Sequence, residues 1–159
     1  MNIARLIGVL AAFVALFIDQ VTKALIVANA TTLGAGVAVF PGFNLTLYRN
    51  NGVTFGLLGD APWWGLTALA LAVCAWLAVM MLRTQNRIEA FAYGSVIGGA
   101  LGNIVDRFRF RAVTDFLDFY VGSAHWPAFN MADVFVVGGV GLLLIAPIFE
   151  KSYETEAMK

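Results

Sequence analysis

Apolar residues run in four long stretches along this chain, and polar residues fall between them or at their edges. A bilayer core of about 30 Å takes about 20 apolar residues as helix. Residues 6–28 form the first stretch, interrupted only by Asp19, Gln20, Thr22 and Lys23. Residues 61–82 carry no charge, residues 89–107 form a glycine-rich run ending in Asp106-Arg107, and residues 130–149 open with Asn130 and Asp133. This pattern predicts an all-α integral membrane protein of four transmembrane helices. Residues 1–159 then make a single membrane domain with both termini on the same side.

Two longer connections, 29–60 and 108–129, join the outer ends of these spans. In the first, Val37–Phe40 and Phe43–Tyr48 alternate and carry β-branched residues between the turn-rich pieces Gly34-Ala-Gly36, Pro41-Gly42 and Asn50-Asn-Gly52. A small β-rich loop resting on the membrane surface is expected there. In the second, Phe, Trp and Tyr interleave with Arg and Asp, which suits an interfacial segment.

Composition narrows the class. The chain is 60% apolar and 13% charged, against about 45–50% and about 25% for a soluble domain, so too little polar surface exists to cover a globule. Ten basic residues balance ten acidic ones, leaving no net field to capture nucleic acid. One cysteine excludes a disulfide framework, and one histidine argues against a metal centre. No cofactor or metal is expected. The Lys/Arg bias that normally orients a membrane protein is tied here. Arg5, Arg83, Arg87, Lys151 and Lys159 lie on the terminal side, and Lys23, Arg49, Arg107, Arg109 and Arg111 on the other. The N-terminus has the look of a secretory signal ending at Ala28-Asn29-Ala30, but Asp19 and Lys23 interrupt it, so the segment is expected to be retained.

A charge at mid-span costs about 2.5–3.5 kcal/mol on the insertion scale, so each one calls for a reason. Asp19 and Lys23 stand at i and i+4 and can pair, either as a plain ion pair or as a buttress for a site. Gly94, Gly98, Gly102 and Asp106 recur every four residues, a seam for close helix approach that turns Asp106 toward protein. Asn103 and Arg107 lie within a turn of it, and a salt bridge at this helix end is one reading. Helix capping accounts for one of Asn130 and Asp133. Asp115 and Asp118 sit among aromatics, where the solvated face of an amphipathic helix would suit Asp118 better than Asp115.

Nucleophilic chemistry has little to work with. Ser123 is too close in sequence to His125 to converge on it, Ser95 pairs poorly with Lys23, and Cys74 reads as a packing residue. Carboxylates remain. Two of them about 4 Å apart at an effective dielectric near 20 repel by about 4 kcal/mol, or about three pKa units. Such a pair holds one proton near neutrality, so one member can activate water while the other donates. Spacing does not reveal which two aspartates these are.

Five motifs occur in order: Asp19-Gln-Val-Thr-Lys23, Arg49-Asn-Asn-Gly52-Val-Thr-Phe55, Gly102-Asn-Ile-Val-Asp106-Arg107, Val113-Thr-Asp115-Phe116 and Phe129-Asn-Met-Ala-Asp133. Together they closely resemble the bacterial lipoprotein signal peptidase (signal peptidase II) family. The resemblance implies an aspartic endopeptidase of the bacterial cytoplasmic (inner) membrane, cutting signal peptides from prolipoproteins before the diacylglyceryl-modified cysteine. It implies Asp115 and Asp133 as the catalytic pair, with Asn103, Asp106, Arg107 and Asn130 orienting them. Asn50 and Gly52 match the family's N-x-G element beside the substrate, and Asp19 and Lys23 are expected to support the site. Prolipoproteins and membrane lipids are the implied partners, a monomer the expected state, and both termini cytoplasmic the implied topology. Thr54 departs from the small Ala or Ser usual after that element. The competing class is a small proton-coupled membrane transporter, whose acids should lie at mid-membrane instead of clustering at one end.

Overall fold

The computed structural model describes residues 2–52 and 62–157, so Thr54 lies outside the described residues. All four apolar stretches are helical: α1 (Ile3–Ala28), α3 (Trp63–Arg83), α4 (Arg87–Phe110) and α5 (Met131–Ala157). A single turn, α2 (Ala30–Leu33), follows α1. Among the described residues α1, α3 and α4 are long and apolar enough to cross a membrane, while the apolar part of α5, Met131–Ala146, is shorter. Side-chain caps set two of the starts. Asn2 accepts from the Ala4 amide, and Asn86 accepts from Ile88 and Glu89, replacing partners that the first turn of any helix lacks. At the far end of α4, Arg111 adopts a left-handed conformation (φ 57°) that stops the helix.

Helix α4 is the centre of the bundle, packing on α1, α5 and α3. The small-residue seam does what its spacing predicts. A Cβ on Gly94 would collide with the Gly8 carbonyl, one on Gly98 with the Ala12 carbonyl, and one on Gly102 with the Asp19 carboxylate. Backbone-to-backbone approach of α1 and α4 is therefore possible only without side chains there. Leu77 and Met81 of α3 pack with Val96 and Ile97 on another side of α4. Outward faces stay apolar: Phe13, Phe17, Leu69 and Trp76 are exposed, as a lipid-facing surface requires.

The sheet is larger than expected, and the all-α description needs this correction. Strands β1 (Val37–Phe40), β2 (Phe43–Asn50), β3 (Val113–Val121) and β4 (Ala124–His125) form one antiparallel sheet in that order. The aromatic segment after α4 supplies half of it. Its apolar residues do not alternate strictly, but pairing with β2 satisfies a backbone that a lone interfacial segment would leave open. Asp115 and Asp118 thus sit on a strand, not a helix, and three residues apart they face opposite sides. Tyr48 lies opposite Asp115 and Asn44 opposite Asp118. Phe116 packs with Ile26 and Leu33, which seats the sheet on the end of α1.

Substituting Gly98 by Val should lower the thermal unfolding temperature in detergent by the equivalent of at least about 1–3 kcal/mol. Gly138, whose added Cβ would meet nothing within 4 Å, should tolerate Ala without loss. Equal behaviour of the two variants would mean that the seam is not a packing contact.

Candidate active site

Two of the family-matched aspartates come together where β3 reaches the ends of α4 and α5. Asp115 is buried, 2% exposed. Its Oδ1 accepts from Asn130 Nδ2 at 2.6 Å and its Oδ2 from Asn50 Nδ2 at 2.9 Å. Asn50 is aimed by its own turn, because its Oδ1 accepts from the Gly52 amide at 3.0 Å. Asp133, in the first turn of α5, is half-buried, and its Oδ1 accepts from Asn103 Nδ2 at 3.0 Å.

Asn130 and Asp133 also cap α5 reciprocally. The Asn130 amide donates to Asp133 Oδ2, and the Asp133 amide donates to Asn130 Oδ1, each at 3.1 Å. This is a capping box with aspartate in place of glutamate. Capping therefore accounts for both residues where the sequence suggested one, and it locks Asp133 relative to Asn130. The Asn130 Nδ2 stays available, reaching Asp115 and, at 3.2 Å, Asn103 Oδ1.

Both carboxylates line one polar cavity of about 140 Å³ with Asn50, Gly52, Asn103, Arg107 and Val113. At about 30 Å³ apiece it has space for several waters. The Arg107 guanidinium holds the rim, donating to the Gly52 carbonyl at 3.3 Å. Burial raises the Asp115 pKa to about 6, the negative charge of Asp133 adds to the rise, and hydrogen bonds from Asn50 and Asn130 oppose it.

Behind the cavity lies a buried ion cluster. Lys23 Nζ stands 3.0 Å from Asp19 and 3.6 Å from Asp106, with all three side chains at most 3% exposed. The third partner of the ammonium is Asn103 Oδ1 at 2.8 Å. Asp19 reaches α5 by accepting from the Ala132 amide at 2.9 Å, and Asp106 reaches β3 by accepting from the Thr114 amide at 2.8 Å. The Asp106 salt bridge is thus to Lys23 and not to its neighbour Arg107, since adjacent helical residues do not face each other.

Other candidates lie apart. Asp118, on the opposite face of β3, accepts from Asn44 at 2.9 Å and bonds His125 Nδ1 at 2.7 Å. Some burial raises its pKa, but the His125 and Asn44 hydrogen bonds outweigh it and hold the carboxyl below its ordinary value. Ser95 donates to the Phe91 carbonyl within its own helix, and Cys74 is buried. One participant went unremarked as an individual residue in the sequence. Thr114, fully buried, gives its amide to Asp106 and accepts from Arg49 at 2.6 Å through its hydroxyl. Its only signal was its place beside Asp115 in a motif.

Helices long and apolar enough to cross a membrane, with a sheet at one end over a carboxylate-lined cavity, match the class of bacterial membrane enzymes. Solved structures carry that class. A bacterial membrane enzyme determined by the in meso method at 2.3 Å resolution matches with a TM-score of 0.80 and 31% identity, covering 92% of this chain and 90% of that one. A second, at 1.9 Å, matches with a TM-score of 0.76 and 30% identity over 87% and 90% of the two chains. The sequence profile of the family described as Signal peptidase (SPase) II matches residues 11–149. The lipoprotein signal peptidase of Nitratidesulfovibrio vulgaris (strain DP4) is 42% identical over 148 residues, 90% of each chain. That of Azoarcus sp. (strain BH72) is 40% identical over 144 residues, 88% of this chain and 81% of its own. The chain belongs to the signal peptidase II family.

Replacing Lys23 by Met leaves two carboxylates buried without their cation. The expected cost is about 3–5 kcal/mol, read as a lowered unfolding temperature in detergent. A variant as stable as wild type would show that the cluster carries no net ionic constraint.

Proposed function

We propose that this protein is an aspartic endopeptidase of the bacterial inner membrane that removes the signal peptide from diacylglyceryl-modified prolipoproteins. It cuts before the lipidated cysteine, using water activated by Asp115 and Asp133. The observation that carries the reading is that these two carboxylates line one small polar cavity and share Asn130. Family membership and relatives named as lipoprotein signal peptidases support the substrate class. All four apolar helices cross the bilayer as one membrane domain, the termini are cytoplasmic, and the cavity opens at the extracytoplasmic face. The enzyme works as a monomer.

The chemistry follows from the charge state of the pair. With one proton between them, the ionised carboxylate takes a proton from water as the water oxygen attacks the scissile carbonyl carbon. The protonated carboxyl donates to the carbonyl oxygen. The resulting tetrahedral diol collapses as the carboxyl that took the water proton gives it to the leaving amine. The other carboxylate takes back a proton from a diol hydroxyl, which restores the one-proton pair. Burial of Asp115 away from bulk water strengthens the electrostatics of these steps. The lipid on the substrate keeps its acyl chains in the bilayer, so the scissile bond arrives at the depth of the helix ends. A proton-coupled transporter has no observation in its favour, since the acids gather at one end of the bundle.

The test uses purified protein in lipid and a diacylglyceryl-modified prolipoprotein, with cleavage followed by gel shift. Asp115→Asn and Asp133→Asn should each lose about 10²–10⁴-fold or more in rate while folding normally, and Asp118→Asn should be much milder. Cleavage surviving in either dyad variant would move the role elsewhere, with Asp106 the next candidate. Equal loss in Asp118→Asn would overturn the choice of pair.

The pH profile gives a second check. Because the Asp115 pKa is raised to about 6, its proton is lost as pH rises through that value. kcat/KM should therefore fall on an alkaline limb with an apparent pKa near 6 in the free enzyme. A profile that rises through this range would assign the titrating group to a required base instead.

A further inference from the structure

We infer that the buried Lys23 ammonium is a positioning group for catalysis, fixing which way the Asn103 side-chain amide points and, through it, the amide of Asn130. The inference rests on the reading of Asp115 and Asp133 as the catalytic pair. An ammonium has three donors and no acceptor. They reach Asp19 at 3.0 Å and Asn103 Oδ1 at 2.8 Å, while Asp106 pairs with the charge from 3.6 Å. An amide NH2 turned toward Lys23 would set donor against donor, so the oxygen must face the ammonium. The NH2 of Asn103 is then left facing Asp133 Oδ1, 3.0 Å away.

The constraint passes one residue further. Asn103 Oδ1, already held toward Lys23, accepts from Asn130 Nδ2 at 3.2 Å. The same Asn130 NH2 reaches Asp115 Oδ1 at 2.6 Å, and its carbonyl oxygen is taken by the Asp133 amide. Both amides therefore present N–H groups to the carboxylates. With Asn103 reversed, a carbonyl oxygen would face Asp133 and an NH2 would face the NH2 of Asn130. Lys23 makes this choice from α1 without lining the cavity. Among the described residues, Arg107 on α4 faces both carboxylates, Lys23 itself lowers the Asp115 pKa through its charge, and Asp19 on α1 and Asp106 on α4 pair with Lys23.

Lys23→Met alone leaves Asp19 and Asp106 uncompensated, so a folded comparison needs a neutral cluster. The full-length triple variant Lys23→Met, Asp19→Asn, Asp106→Asn removes all three charges and keeps an oxygen for the Ala132 and Thr114 amides. Its unfolding temperature in lipid is measured first, followed by kcat, KM and the pH profile on the same prolipoprotein. The expected result is a folded protein whose kcat falls about tenfold to a hundredfold, with KM within about twofold. The alkaline limb should move about one pH unit higher, as Asp115 loses both the nearby Lys23 charge that lowers its pKa and an oriented donor. Lys23→Arg, which keeps a donor-only cation, should retain the wild-type limb.

A folded triple variant with wild-type kcat and an unmoved limb would overturn the inference and leave Lys23 a structural cation. An unfolded triple variant passes the decision to Lys23→Arg, where a displaced limb would overturn it. Asp115→Asn is run in parallel. If that variant cleaves, the dyad reading itself has failed, and if it is inactive, the result for Lys23 stands alone.

Discussion

One buried cation holds this structure together. Lys23 shares its charge with Asp19 on its own helix and Asp106 on α4. Each of those carboxylates spends a further acceptor on a backbone amide, Ala132 in α5 and Thr114 in β3. Four elements are thereby fixed to one point. Ions so deep in a bundle persist only when they are paired and hydrogen-bonded, and every described buried side-chain polar atom has a partner. The requirement that no charge go unmet sets the mutual position of the helices and the sheet.

The glycine seam and the ion cluster are two parts of one arrangement. Gly102 has no room for a Cβ because the Asp19 carboxylate occupies that space. Close approach of α1 and α4 brings Asp19 and Lys23 against Asn103 and Asp106, and the same approach carries Ala132 within reach. The sheet is then drawn down through Thr114, the residue beside Asp115. Packing and chemistry meet at this point, since the strand that seals the bundle end also delivers a carboxylate.

The two carboxylates have unequal surroundings. Asp115 is almost wholly buried beneath Asn50 and Asn130, whereas Asp133 is half-open to the cavity at the first turn of a helix. Burial favours the neutral form of Asp115 and raises its pKa to about 6. In the proposed reaction this inequality suits the buried Asp115 to the part of proton donor. Arg107 adds positive charge at the rim and ties it to the loop bearing Gly52.

The hydrophobic pattern by itself determined four helices, because burial in a bilayer imposes long apolar runs that local sequence must carry. Helix periodicity also gave the Asp19–Lys23 pair, the seam and the inward turn of Asp106. The short strands β1 and β2 were legible from alternation and turn residues. Tertiary structure alone decided that residues 113–121 are a strand, since a partner at residues 43–50, distant in sequence, completes their hydrogen bonds. That pairing separates Asp115 from Asp118, which sequence spacing could not do. The motifs, through family resemblance, marked Asp115 and Asp133. Only the folded chain shows why Asn130 can cap one aspartate and donate to the other, because residues 103, 115 and 130 converge from a helix, a strand and a helix start.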